Sequence, residues 1–272
     1  MHFTLGWQQF FKQEIARSDR EISLAKAALH YARNEYRDLN PEEYLAILDR
    51  MAGDIKENLP QNRYPLKVIH SINQYLFQTQ RFTGDIKDYY NPANSYLNLV
   101  IDRRKGIPIT LSIVYLEIAE RLDFPMVGIG MPGHFLIRPD FENAGIFVDV
   151  FNKGEILFPQ DCQEKLKQIY QKPVELEQNF LAPVSKKRML ARMLTNLKYI
   201  YLKQQQFVKT LTAIEGILIL FPENPIEMRD RGLVYYQLYE WQKASKDLEF
   251  YLSLLPHAPD ANEIRQLLEK MR

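Results

Sequence analysis

Apolar positions recur at three- and four-residue steps through the first 80 residues or so, the period of helices with one buried face. Ile22, Ala25, Leu29, Ala32 and Tyr36 form one such stripe. Asn40-Pro41-Glu42-Glu43 supplies a capping side chain, a proline at the first helical position and an acid in the first turn. It predicts the start of a second helix, carrying Tyr44, Leu45, Leu48, Met51 and Ile55. A third is predicted over Leu66–Phe77. Asn94–Arg104 reads as a helix stopped by Gly106, and Pro108 opens another that runs to about Leu122. Beyond it the period shortens towards two. Met126–Gly130, His134–Arg138 and Ile146–Phe151 are short, apolar and bounded by Gly, Pro, Asp and Asn, as strands are. The pattern predicts an α+β core in which a helix feeds a small antiparallel sheet.

The last third repeats. Leu220-Phe221-Pro222-Glu223-Asn224-Pro225 returns 34 residues later as Leu254-Leu255-Pro256-His257-Ala258-Pro259, and Tyr201, Phe207, Lys209 and Leu218 return as Tyr235, Trp241, Lys243 and Leu252. A helix–turn–helix period of 34 ending in proline is the tetratricopeptide signature. It predicts two repeats, about 189–222 and 223–256, and a capping helix Asn262–Met271. Residues 1–182 are expected to form the first domain (helical to 90, α+β core over 91–172), 173–185 a linker with Pro173 and Pro183, and 186–272 an all-α repeat domain.

Composition narrows the function. Across 272 residues, 35 Lys and Arg meet 34 Asp and Glu, a net charge of +1, without the basic surplus that nucleic-acid binding usually needs. No apolar run approaches the ~18 residues of a membrane span, and the start, Met1 to Arg17, lacks a signal pattern. The single cysteine, Cys162, excludes an internal disulfide and a multi-thiolate zinc site. His2, His30, His70 and His257 are scattered, so neither a metal nor a cofactor is expected; nor is there a phosphate loop or a G-x-S-x-G elbow. The Arg103-Arg104-Lys105 run reads as a solvated helix end. A cytoplasmic protein is the expectation.

One constellation could carry chemistry. If strands 134–138 and 146–151 pair as a hairpin whose residue numbers sum to 283, His134 faces Asp149 across the ladder. A carboxylate beside an imidazole fixes its tautomer and supports its charged form, as in nucleophile–His–Asp sites. A helix start such as Pro108 is where those sites often keep a cysteine, because the dipole favours the thiolate.

Asn94-Ser95-Tyr96-Leu97-Asn98, Asp102-Arg103-Arg104-Lys105-Gly106-Ile107-Pro108-Ile109-Thr110-Leu111-Ser112, Pro132-Gly133-His134-Phe135-Leu136-Ile137-Arg138 and Asp149 with Phe151 resemble the SirB-type branch of the transglutaminase-like superfamily. The resemblance spans roughly residues 20–170, and Arg229-Asp230-Arg231-Gly232 is similar to the repeat tail of these bacterial proteins. It implies a papain-like core in which a cysteine opens the core helix and histidine and aspartate follow on strands. Those positions here carry Pro108, His134 and Asp149. Asp123 and Val150 stand where the branch has glycine and proline. Proline has no nucleophilic atom, so the resemblance implies a vestigial site, with Asn94, Ser112, His134 and Asp149 as the candidate cleft.

The expectation is therefore a non-catalytic, regulatory module. It would bind a protein or peptide through that cleft or through the repeat groove, where Tyr199, Tyr201, Tyr235, Tyr236, Tyr239 and Trp241 are candidate contacts. The alternatives are a hydrolase or acyltransferase that uses His134 and Asp149 with another nucleophile, Ser112, Thr110 or Cys162, and an adaptor whose repeats alone bind.

Overall fold

A computed structural model describes residues 6–141, 144–172 and 174–271, so Met1, His2 and Pro173 lie outside the described residues. The chain divides into two compact units, Met1–Leu190 and Ala191–Arg272.

Four helices lead in: α1 (Trp7–Ile15), α2 (Leu24–Ala32), α3 (Pro41–Glu57) and α4 (Pro65–Asn73), the last continuing into a π-helical turn, Gln74–Thr79. Asn40 caps α3 as the sequence predicts, its Oδ1 accepting from Glu42 N at 3.2 Å, and the structure adds a cap at α2, where Ser23 Oγ accepts from Lys26 N at 3.1 Å.

The α+β core follows as β1 (Thr83–Gly84), α5 (Leu97–Arg103), β2 (Lys105–Gly106), α6 (Pro108–Arg121), β3 (Met126–Ile129), β4 (Leu136–Pro139), β5 (Phe147–Asp149), β6 (Glu155–Leu157), α7 (Pro159–Tyr170) and β7 (Pro183–Val184). β1 and β2 pair in parallel; the other five strands form an antiparallel sheet in the order β6-β5-β4-β3-β7. Every residue of α6 from Pro108 to Ala119 is buried, so this helix is a core element on all its faces.

Four expectations need correction. α5 starts at Leu97 rather than Asn94, and Arg104, in the left-handed region at φ 54°, ends it in place of Gly106. Gly106 is needed for closeness instead, since a Cβ there would sit 2.8 Å from Thr110 Oγ1. The 173–185 segment is not wholly a linker, because β7 pairs with β3, with Ile129 opposite Pro183. Finally, Ile137 pairs with Val148, so hairpin partners sum to 285 and not 283. The slide of two residues keeps every side chain on its expected face, because the strand period is two. Asp123 takes φ 55°, the conformation that a glycine would accept most easily.

The β5–β6 connection is tight. Lys153 and Gly154 both have positive φ, at 57° and 75°. Asn73 Nδ2 donates to Gly154 O at 2.7 Å, and a Cβ on Gly154 would collide with the Asn73 amide. Gly154→Ala is expected to cost about 1–3 kcal/mol, read as a lower urea midpoint.

The second unit holds the helical repeats. α8 (Lys186–Lys203) crosses the division, followed by α9 (Phe207–Leu220), α10 (Pro225–Gln237), α11 (Trp241–Leu254) and α12 (Ala261–Lys270). Lys198, only 2% exposed, is held by Glu227 and Asp230 at 2.8 and 2.9 Å. With both partners in place, the buried charge is compensated.

Candidate functional site

His134 follows Gly133, whose φ of 75° turns the chain into β4. Asp149 is the last residue of β5 and is fully buried. Although the observed register sets these residues diagonally rather than directly opposite, the imidazole spans the offset: His134 Nε2 lies 2.8 Å from Asp149 Oδ2.

Asp149 has further partners. Asn152 donates from its backbone N to Oδ1 at 3.2 Å and from Nδ2 to Oδ2 at 2.8 Å. Lys165, reaching in from α7, brings Nζ to 3.0 Å from Oδ2 and 2.9 Å from Glu155 Oε2. Burial alone would raise the Asp149 pKa, but the hydrogen bond and charge of His134, with the bonds from Asn152 and Lys165, hold it well below the ordinary carboxylate range. For Lys165, burial opposes the charge, and Glu155 and Asp149 outweigh it, so its pKa is raised.

His134 lines an open cleft of about 550 Å³ with Pro108, Gly133, Asn152, Lys165 and Gln168. Tyr89, Tyr90, Phe151 and Ile169 complete its walls. Tyr89 meets Tyr90 and Phe151 edge-on at ring separations of 5.2 and 6.0 Å. Among the described residues lining the cleft there is no serine, threonine or cysteine.

The remaining candidates lie elsewhere. Ser112 is fully buried on α6, and its hydroxyl has no partner there. Thr110 Oγ1 donates to Asn94 O at 2.7 Å and accepts from Ile107 N at 3.2 Å, which caps the start of α6. Asn94 is buried and does not line the cleft; it braces the loop that carries Tyr89 and Tyr90. Its Nδ2 donates to Asp88 O at 2.8 Å, and its Oδ1 accepts from Arg103 at 3.2 Å. Arg103 also reaches Asp85 at 3.4 Å, so it is engaged rather than simply solvated. Cys162 sits in the apolar cluster of Ile129, Met131, Leu136, Phe147, Leu157 and Leu166. Burial, with Asp161 beside it, pushes the thiol up to about 11.

Sequence reasoning missed Lys165, Asn152 and the two tyrosines. Asn152, three residues beyond a strand-end aspartate, carried a local turn signal. Lys165 carried none, because its role depends on where α7 packs.

A transglutaminase-like superfamily model matches residues 42–195, and a tetratricopeptide-repeat model matches 197–269. The chain therefore belongs to the transglutaminase-like superfamily, in its SirB-type branch, with tetratricopeptide repeats following the domain. It is similar to a UPF0162 protein of Xylella fastidiosa, 33% identical over 91% of this chain and 89% of that protein. A UPF0162 protein of Vibrio cholerae is 28% identical over 84% of this chain and 86% of its own length. Human F-box only protein 21 is 28% identical over 66% of this chain but only 29% of that protein. No solved structure matches. Among the described residues no group of His, Cys, Asp and Glu is placed to hold a metal ion, and no helix is long and apolar enough to cross a membrane.

Proposed function

We propose that this protein is a non-catalytic transglutaminase-like module that binds a protein or peptide partner at the His134 cleft, with the repeats as a second contact surface. The observation that carries this reading is the cleft lining. Pro108 and His134 face one cavity, the His134–Asp149 pair is intact, and no described lining residue offers a thiol or hydroxyl nucleophile other than tyrosine. Tetratricopeptide arrays generally mediate protein–protein contacts. The similarity to F-box only protein 21, confined to 29% of that longer protein, fits a domain that serves as one module among others.

An acyltransferase or hydrolase would need a nucleophile within hydrogen-bond reach of the imidazole. Cys162 is buried with a raised pKa, Ser112 is enclosed in the core, and Thr110 is occupied at the helix start. The test is acyl-adduct trapping: the folded protein is incubated with activated esters and peptide amides and examined by intact mass. No fold-dependent adduct and no turnover are expected. A stoichiometric acyl adduct that disappears in His134→Ala would overturn the reading.

A further inference from the structure

Four exposed cations collect beside Phe151, a wall of the cleft, and the cleft reading leaves them unused: Arg81, Arg104, Lys105 and Lys153. Arg81, Arg104 and Lys153 adopt φ 59°, 54° and 57°, conformations that glycine accepts without strain and a residue with a Cβ does not. β1 and β2 bring the arginines and Lys105 together: Thr83 N donates to Arg104 O at 2.9 Å, and Thr83 pairs with Lys105. Two contacts tie the Lys153 turn to them. Gly84 packs so closely on Phe151 that a Cβ would lie 2.6 Å from its ring. Asn73, just ahead of the π-helical turn that leads to Arg81, donates to Gly154 O at 2.7 Å.

None of the four has an ion-pair partner among the described residues. The carboxylates on neighbouring segments are engaged elsewhere: Asp85 with Arg103 at 3.4 Å, Asp102 with Tyr44 at 2.9 Å, Asp54 with Tyr75 at 2.5 Å and Glu155 with Lys165 at 2.9 Å. Like charges held together without a counter-charge repel, a cost that a bound anion would relieve. A glycine would hold either arginine position more easily, so the charge there is not what the backbone asks for. The cations sit on three separate segments, which suits carboxylates spaced along a chain better than a single phosphate. A protein of net charge +1 lacks the wider basic surface that a nucleic acid would follow.

We infer that Arg81, Arg104, Lys105 and Lys153 form a docking surface for an acidic segment of a partner protein, whose side-chain carboxylates pair with them along β1 and β2. This surface lies outside the cleft, and its role stands whether or not the cleft is occupied or catalytic.

The test uses the full chain in low-salt buffer and an acetylated hexaglutamate amide. The hexaglutamine amide serves as its uncharged isostere, heptathymidylate as a nucleic acid of the same charge and inorganic phosphate as a free anion. Binding is followed at the backbone amide cross-peaks of Gly84, Gly106 and Gly154, which adjoin the four cations. The glutamate peptide is expected to shift all three saturably and the glutamine peptide none. Replacing both arginines, Arg81→Gly with Arg104→Gly, should weaken glutamate binding by about three- to tenfold, the contribution of two exposed ion pairs. Glycine relieves both backbones, so the melting temperature should hold or rise and lost binding could not be ascribed to lost folding. Removing two exposed lysines of the repeat unit instead, Lys246→Gln with Lys270→Gln, lowers the net charge equally and should leave the affinity within about twofold. Equal binding of the two peptides, an equal loss in the lysine variant, unchanged affinity in the arginine variant, or tighter binding of heptathymidylate or phosphate would each overturn the inference.

Discussion

Cysteine in place of Pro108 is expected to label with iodoacetamide at pH 7 about tenfold faster than an ordinary surface thiol. Position 108 opens a 14-residue helix and shares a cleft with His134. A free thiol with a pKa near ~8.5 is only a few per cent ionised at neutral pH, whereas thiols at helix starts or beside an imidazole fall to about 3.5–7.5. The gain in thiolate is thus an order of magnitude or more, part of it offset by the lower nucleophilicity of a more acidic thiol. Backbone damage should be small, because the amide that cysteine restores is one a helix start leaves unpaired anyway. Cys162 is an internal control, since its buried thiol, pushed up to about 11, should stay unlabelled until the protein unfolds. Adding His134→Ala to the cysteine variant should lower the rate towards that of a surface thiol, leaving only the share owed to the helix start. If Pro108→Cys labels no faster than a surface thiol, position 108 does not stand where a nucleophile would meet the imidazole.

The second large effect is on stability. Asp149→Ala is expected to lower unfolding free energy by about 3–5 kcal/mol, because it removes the common partner of His134, Asn152 and Lys165 from a fully buried position. The isosteric Asp149→Asn separates the charge from the shape. The folded pKa of Asp149 is depressed, so its contribution is fully present above the unfolded aspartate value of about 3.9. It is lost as pH falls below that value and through the folded pKa. Urea midpoints of the native chain and Asp149→Asn should therefore differ most at neutral pH and converge on acidification. A gap that stays constant from pH 7 to pH 3 would show that the charge of Asp149 does not stabilise the fold.

The sequence by itself determined whatever depends on neighbours within a turn or two. Asn40 caps α3, Pro108 starts α6, and the 34-residue spacing appears as paired helices from α8 to α11 with α12 after them. Propensity, capping and periodicity are local quantities, and a single chain displays them directly. It also paired His134 with Asp149, because a hairpin of alternating strands leaves few choices of face. Even the two-residue error in register did no harm to that contact, since it preserved the face and the imidazole is long enough for the diagonal.

Only the tertiary structure decided the rest. Residues 183–184 become a strand because β3 presents a free edge to them, and nothing within Pro183-Val184 announces it. Asn94 turns inward to hold the tyrosine loop, and Ser112 disappears into a helix buried on every side. Lys165 reaches Asp149 because α7 packs where it does, which no spacing along the chain encodes. A side chain's partner 16 positions away, beyond a turn, a strand and half a helix, is set by packing, and packing is a property of the whole fold.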